Sequence, residues 1–412
     1  MESVRSQFPA LARVHHGHPV AYFDGPGGTQ VPQAVVDAVG DYLLHHNANT
    51  HWVYPTSRET DALLLDARRV YAAFFNAPGP EWVSFGQNMT TITFHVARAL
   101  ARQWSAGDEI VVTELDHHGN VDPWRDAAAE RGLAVRTVPL AADGVSLDMD
   151  ALAGVLSPRT RLVAIGAASN AVGTITDVAA AARLAHAAGA LVYVDAVHYA
   201  PHVLVDVAAI GCDLLACSSY KFYGPHQGIL CADPSLVASL RLPKLRPAPA
   251  TPPDSLETGT QSHEGIVGAA AAVRFLAGVA GTPGADDAAL RPALVASYAA
   301  LHADAVGLTQ RLWDGLGAIA GVTRYGRPPG APRTPTVAFV VDGQSSDDVA
   351  AGLVEHGLFA SSGNFYAQTL VERLGHGDSG LVRIGCACYT TASEIDRLVE
   401  AVARVRSSPN IR

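Results

Sequence analysis

The sequence predicts an α/β protein: a large domain on a mainly parallel central sheet, plus a smaller α+β domain. Three observations predict it. Between about residues 83 and 232, short apolar strands alternate with helical stretches of roughly ten to fifteen residues, the pattern of βαβ units. The 412 residues exceed what one small core organises. Hydrophobic residues make up 49% and charged residues 17%, which suits a packed interior and not a disordered chain.

The elements follow in order. Val83–Phe85 reads as a strand, with a helix from about Thr90 to Gln103 behind it. Glu109–Thr113 is the next strand. Asp122 reads as an N-cap, with Pro123 at the first helical position and Gly132 at the helix end. Ala134–Val138 is a strand, Asp148 or Asp150 opens a helix, and Arg161–Ile165 is again a strand. Asp177 caps a helix that runs to Gly189. Leu191–Val194, a short helix to Ile210, Asp213–Cys217 and Gly228–Cys231 complete the run. Arg241–Pro253 is rich in proline and reads as an ordered surface loop. Two amphipathic helices follow, His263–Ala277 and Asp287–Leu316. From Thr336 to Val405 the order is strand, helix, loop, strand, helix, with Tyr325–Pro335 as a turn-rich connection. The large domain is placed at 20–280, and the smaller one is assembled from 1–19 and 281–412.

Composition excludes several classes. A net charge of −10 opposes nucleic-acid binding, which needs a basic surface. No run of eighteen apolar residues spans a membrane, and the opening residues lack the apolar core of a secretory signal. Five cysteines are too few for a disulfide scaffold, so the expected compartment is the cytoplasm. His15, His16, His18, His45 and His46 lack the spacing of a metal motif. Of the 29 basic residues only Lys221 and Lys244 are lysines. Arginine replaces lysine as a surface charge but cannot shed a proton and attack a carbonyl, so nucleophilic amine chemistry has two candidates.

In open α/β sheets, ligands bind beyond the carboxyl ends of the strands. Gly86–Thr91 follows the first strand and enters a helix, giving free N–H groups and hydroxyls for an anion. His117 and His118 follow the second, Ser169 and Asn170 another, Asp195 and His198 another, and Ser218 to Lys221 the last of this series. Any one of these alone is a cap or a turn residue. Together they bring an anion cradle, an imidazole, an amide, a carboxylate and a lysine to one sheet edge. That set matches the needs of pyridoxal 5'-phosphate: phosphate donors, a carboxylate for the pyridine nitrogen, a flat partner for the ring and an amine for the aldehyde.

The chain resembles the class V aminotransferase family, in particular its cysteine desulfurase and selenocysteine lyase group. The resemblance runs from Tyr22–Thr29 (YFDGPGGT) to Arg383 and Tyr389. Its most specific segments are ELDHHGN at Glu114–Asn120, VDAVH at Val194–His198, SSYKFYGPHQG at Ser218–Gly228 and ETGT at Glu257–Thr260. It implies the fold type I architecture of pyridoxal phosphate enzymes, a homodimer with the active site at the interface, and a role for each matching residue. Lys221 carries the cofactor and moves the Cα proton. His117 stacks on the ring, and Asp195 pairs with the pyridine nitrogen. His198 stands where relatives have a glutamine near the ring hydroxyl, with Asn170 close by. Asn88, the Met89 backbone, Thr90, Ser218 and Tyr220 hold the phosphate, and Thr260 reaches the partner's phosphate. Arg383 grips the substrate carboxylate as a bidentate pair. Trp52, Tyr54 and Arg58 fall near the partner's site, either shaping a substrate pocket or simply packing the interface.

The chain departs from the family at one place. Cysteine desulfurases receive sulfur on a loop cysteine, and anchoring on Gly363 puts Tyr366 at that position, with Ser361 where some relatives carry an arginine. A phenol cannot replace a thiolate as sulfur acceptor. Cys386 and Cys388 share the strand face of Ile384, opposite Arg383, and read as core, as do Cys212, Cys217 and Cys231. The expected reaction is β-elimination from cysteine or an S-substituted cysteine to thiol, pyruvate and ammonia. Decarboxylation-coupled deamination, desulfuration, epimerisation and transamination use the same cofactor and stay open, because substrate rotation selects the bond that breaks.

Overall fold

The computed structural model describes residues 2–281 and 287–407. Residues 1, 282–286 and 408–412, which the expected smaller domain includes, lie outside them. A seven-stranded sheet runs in the order Val83–Gly86, Gly228–Ala232, Leu214–Ser218, Leu191–Asp195, Thr160–Gly166, Glu109–Thr113, Ala134–Val138. Gly228–Ala232 pairs antiparallel on both sides; the remaining pairings are parallel. The sheet is therefore mainly parallel, as the alternating pattern predicts.

Six of the seven strands are mostly apolar because both faces are covered, while the edge strand Ala134–Val138 exposes Arg136 and Thr137. Val111, Val163, Ile165, Val192, Val194 and Leu215 face one core; Ile110, Val112, Leu162, Ala164, Tyr193 and Leu214 face the other. Helix starts are written in the sequence. Asp148 and Asp177 accept from the N–H groups of Ala151 and Ala180, as N-caps do. Asp122 does not cap: it lies inside the helix Asp122–Arg131, and its carboxylate meets His118 instead. Gly132 ends that helix in the left-handed region at φ +66°.

The smaller sheet is antiparallel, in the order Val322–Tyr325, Thr336–Val341, Leu381–Gly385, Ser361–Gly363. One of its faces buries Val337, Phe339, Val382, Ile384 and Cys386 against Leu312, Leu316, Ile395 and Leu398. The strand ends at Gly385, so the alternation does not continue to Cys388. Cys386 joins Ile384 as expected, but Cys388 packs in the large-sheet core beside Tyr389.

Two helices ahead of the first large-sheet strand, Gln33–Asp41 and Pro55–Phe75, were not read from the sequence. The apolar stripe of the longer one is confined to its second half, where Ala67, Val70, Tyr71, Phe74 and Phe75 are buried. The helix Asp287–Gly317 packs on Pro55–Phe75, on His263–Gly278 and on Ala392–Ser407, so it touches both cores. N-terminal residues also join the halves. Ala21–Tyr22 pairs with Leu358–Phe359, and Phe8 packs against Tyr223, Phe275 and Tyr389. Among the described residues, no helix is long and apolar enough to cross a membrane.

Candidate active site

At the carboxyl edge of the large sheet a cavity of about 900 Å³ opens between the two sheets. Its wall includes Asn88, Met89, Thr90, His117, Asn170, Asp195, His198, Ser218, Tyr220, Lys221, Tyr366 and Arg383. Twelve residues singled out in the sequence, spread over almost three hundred positions, thus share one space. Trp52, Tyr54, Arg58 and Thr260 do not line it. They are exposed on the surface, and Thr260 belongs to a separate groove of about 680 Å³. None of the five cysteines lines the cavity.

Lys221 follows the strand Leu214–Ser218, on a single 3-10 turn. Its Nζ donates to the carbonyls of Pro26 at 2.6 Å and Gly27 at 2.9 Å and lies 4.7 Å from the Tyr220 ring centroid. Among the described residues, no carboxylate bonds it. Burial, and then the Arg383 charge, push its ammonium down to about 8. The other lysine, Lys244, is exposed in the proline-rich loop and donates to the Ala248 carbonyl.

Asp195 ends its strand with the side chain buried and accepts from the Val197 N–H at 2.8 Å; burial pushes its carboxyl up to about 6. Beside it stands Asp116, which the sequence reading passed over. It accepts from the Gly166 N–H at 2.6 Å, and burial together with the Asp195 charge holds it well above the carboxylate range. The register explains their proximity, since Gly166 pairs with Asp195.

His117 accepts the Gly119 N–H on Nδ1 at 2.8 Å, which leaves the ring proton on Nε2. Burial, and then Lys221, push it down to about 4, so the ring is neutral at neutral pH. His198 is buried, its Nε2 meeting the hydroxyls of Thr334 at 2.9 Å and Thr336 at 3.1 Å. This edge of the ring therefore joins the two domains. Burial holds His198 well below the usual imidazole range.

The helix Met89–Ala101 points its N-terminus at the cavity, where its first N–H groups have no partners within the helix. Met89 N–H donates to Ser218 Oγ at 2.9 Å and Thr91 N–H to Asn88 Oδ1 at 2.9 Å. Among the described residues, Thr90 N–H has no acceptor. Gly228 lies so near this turn that a Cβ there would meet Asn88 backbone atoms at 2.6 to 2.8 Å. His226, also unread in the sequence, stacks on Tyr220 with ring centroids 4.7 Å apart.

Arg383 reaches the cavity from the smaller sheet. It donates to the Asn170 carbonyl at 3.0 Å and to Asp24 at 3.1 Å, and the Phe365 ring centroid lies 4.2 Å from its Cζ. Its Nε and the Asn170 Oδ1 are buried without a protein partner. A buried polar atom left this way costs roughly 1–3 kcal/mol, so the pair marks where an anion and a donor fit. Phe365 was not singled out in the sequence; only its neighbour Tyr366 was.

Comparison with known proteins gives a single family. The family model described as Aminotransferase class-V matches residues 21–398. A cysteine desulfurase of Klebsiella pneumoniae is 32% identical, covering 98% of both chains. One of Dickeya dadantii is 32% identical over 98% of this chain and 96% of its own. Among solved structures, the apo cysteine desulfurase of Thermococcus onnurineus superposes with a TM-score of 0.88 at 26% identity over 98% of each chain. The S-sulfonic acid form of the cysteine desulfurase CsdA of Escherichia coli gives 0.84 at 29% over the same shares. With its mainly parallel sheet, its lysine and its flanking carboxylate in place, the chain belongs to the class V aminotransferase family.

Proposed function

We propose that this chain is a pyridoxal 5'-phosphate-dependent lyase that breaks the C–S bond of cysteine or an S-substituted cysteine. The observation that carries the reading is Lys221, a half-buried lysine whose amine is pushed down to about 8 and which lines a cavity that also holds Asp195 and His117. The residues present fit the cofactor. The unpaired Thr90 N–H and the Ser218 hydroxyl suit a phosphate, the Asp195 carboxylate suits a protonated ring nitrogen, and His117 offers a flat neutral face. When bound, pyridoxal phosphate supplies an electron sink for a bond broken at Cα.

Lys221, shifted toward its free-amine form, would hold the cofactor through that amine and would take the Cα proton of a bound substrate. Arg383 holds the substrate carboxylate through its unpartnered Nε, with Asn170 Oδ1 accepting a donor alongside. His117 keeps its proton on Nε2 and donates from there. With Tyr366 in place of a thiol, sulfur departs from Cβ with its electron pair and leaves as a thiol. The relatives' cysteine substrate supports the choice of C–S bond.

The reading includes a homodimer in the cytoplasm. Exposed Leu44, Trp52, Val53, Tyr54 and Leu245 support the dimer, as does the exposed Thr260 in its own groove. The absence of any cysteine pair among the described residues suits a reducing compartment. The domain limits are proposed at 20–280 for the large domain, with 1–19 and 281–412 in the smaller.

Reconstituted protein should be yellow and release pyruvate and thiol in equal amounts from its substrate. Lys221→Ala should lose the visible band and cut turnover by at least about a thousandfold. A wild-type protein that stays colourless after reconstitution would refute the proposal.

A further inference from the structure

The segment after Gly363 enters the cavity with two consecutive aromatic residues. Phe365 and Tyr366 both sit at φ +56°, a left-handed conformation that bulky residues rarely adopt. Three hydrogen bonds hold them there. Asn170 Nδ2 donates to the Phe365 carbonyl at 2.8 Å, His118 N–H to the Tyr366 carbonyl at 2.7 Å, and Tyr366 N–H to Asn364 Oδ1 at 3.0 Å. His118 is itself held between Asp122 at 2.9 Å and Thr369 at 3.2 Å.

This pinned backbone aims the two rings at different targets. The Arg383 Cζ sits over the Phe365 ring, 4.2 Å from its centroid, so this ring backs the guanidinium at the cavity wall. Tyr366 lies 5.5 Å from the His117 ring, tilted by 37°. It is 73% exposed, and its hydroxyl bonds nothing among the described residues. Phe94 and Pro123 line the same cavity.

We propose that Phe365 and Tyr366 set the substrate specificity of this site. Phe365 positions Arg383 for the α-carboxylate. Tyr366 packs on the group carried by the substrate sulfur, so the preferred substrate is a cysteine whose sulfur bears an apolar, ring-containing substituent. This rests on the C–S lyase reading above. The reaction balances without an oxidant. The Cα proton leaves, the Cα=Cβ bond forms as the Cβ–S bond breaks, and the thiolate takes up a proton. One water then converts the remaining enamine to pyruvate and ammonium.

The test compares S-benzyl-L-cysteine with L-cysteine on the reconstituted enzyme. It reads kcat/KM from pyruvate release and affinity from the change of the visible band on titration. S-benzylcysteine should be favoured by about tenfold or more in both. Tyr366→Ala should lower that ratio at least about fivefold, and Tyr366→Phe should keep it, because the ring and not the hydroxyl makes the contact. Phe365→Ala should raise KM for both substrates more than it lowers kcat. A wild-type ratio near one, or a ratio that survives Tyr366→Ala, overturns the proposal. Pyruvate from both substrates at a ratio near one would leave the lyase reading standing and remove only the specificity. Pyruvate from neither would sink the lyase reading, and the titration would still decide the role of Tyr366.

Discussion

Asp195 occupies a position that works against the stability of the cofactor-free protein. Its carboxyl rises from about 3.9 in an unfolded chain to about 6 when folded. Between those values the folded state binds more protons, so stability falls as pH rises through this window and the full cost applies above it. A shift of about two units corresponds to about 3 kcal/mol. Asp195→Asn, which keeps an acceptor for the Val197 N–H, should therefore stabilise the cofactor-free protein by about 2 kcal/mol at pH 7.5 and by almost nothing near pH 4. Urea denaturation at the two pH values measures this. The same variant should bind pyridoxal phosphate more weakly. Asp195 was readable because it ends an apolar strand in a chain with only two lysines. Asp116 was harder to read: its importance comes from burial beside a strand about fifty positions away, and no spacing in its own segment encodes that.

At the scale of elements, the strands were the most legible part. Most are buried on both faces and appear as short apolar runs; Glu109–Thr113 matches its expected limits, and so does the edge strand Ala134–Val138, although it exposes Arg136 and Thr137. The helix Pro55–Phe75 escaped because half of its surface faces solvent with no apolar period to mark it. Strand direction was also hidden, since an apolar run reads the same either way, and Gly228–Ala232 runs against its neighbours. That strand presses Gly228 against the turn that opens the helix Met89–Ala101. Gly228→Ala should push the turn outward, because backbone atoms of Asn88 cannot rotate aside as a side chain can. Cofactor affinity, followed by the visible band during titration, should drop at least about tenfold. Unchanged affinity would mean that the turn does not hold the phosphate.

For the whole molecule, the surface near residues 44 to 54 makes the clearest statement. Leu44, Trp52 and Val53 are more than half exposed, an arrangement that a lone soluble chain rarely keeps. Sedimentation should report a dimer for the wild type and a monomer for the Leu44→Asp, Trp52→Asp double variant. A wild type that sediments as a monomer at micromolar concentration would remove the dimer from the proposal. Sequence reading reached the two-domain plan but not the way the domains interlock. His198 bonds Thr334 and Thr336, and Arg383 bonds Asn170 and Asp24, across long stretches of chain. The clasp of Lys221 on Pro26 and Gly27 has a consequence for biosynthesis. A ribosome extrudes that proline before the amine, and the guanidinium last of the three, so no nascent fragment that stops short of Arg383 owns all three walls of this cavity.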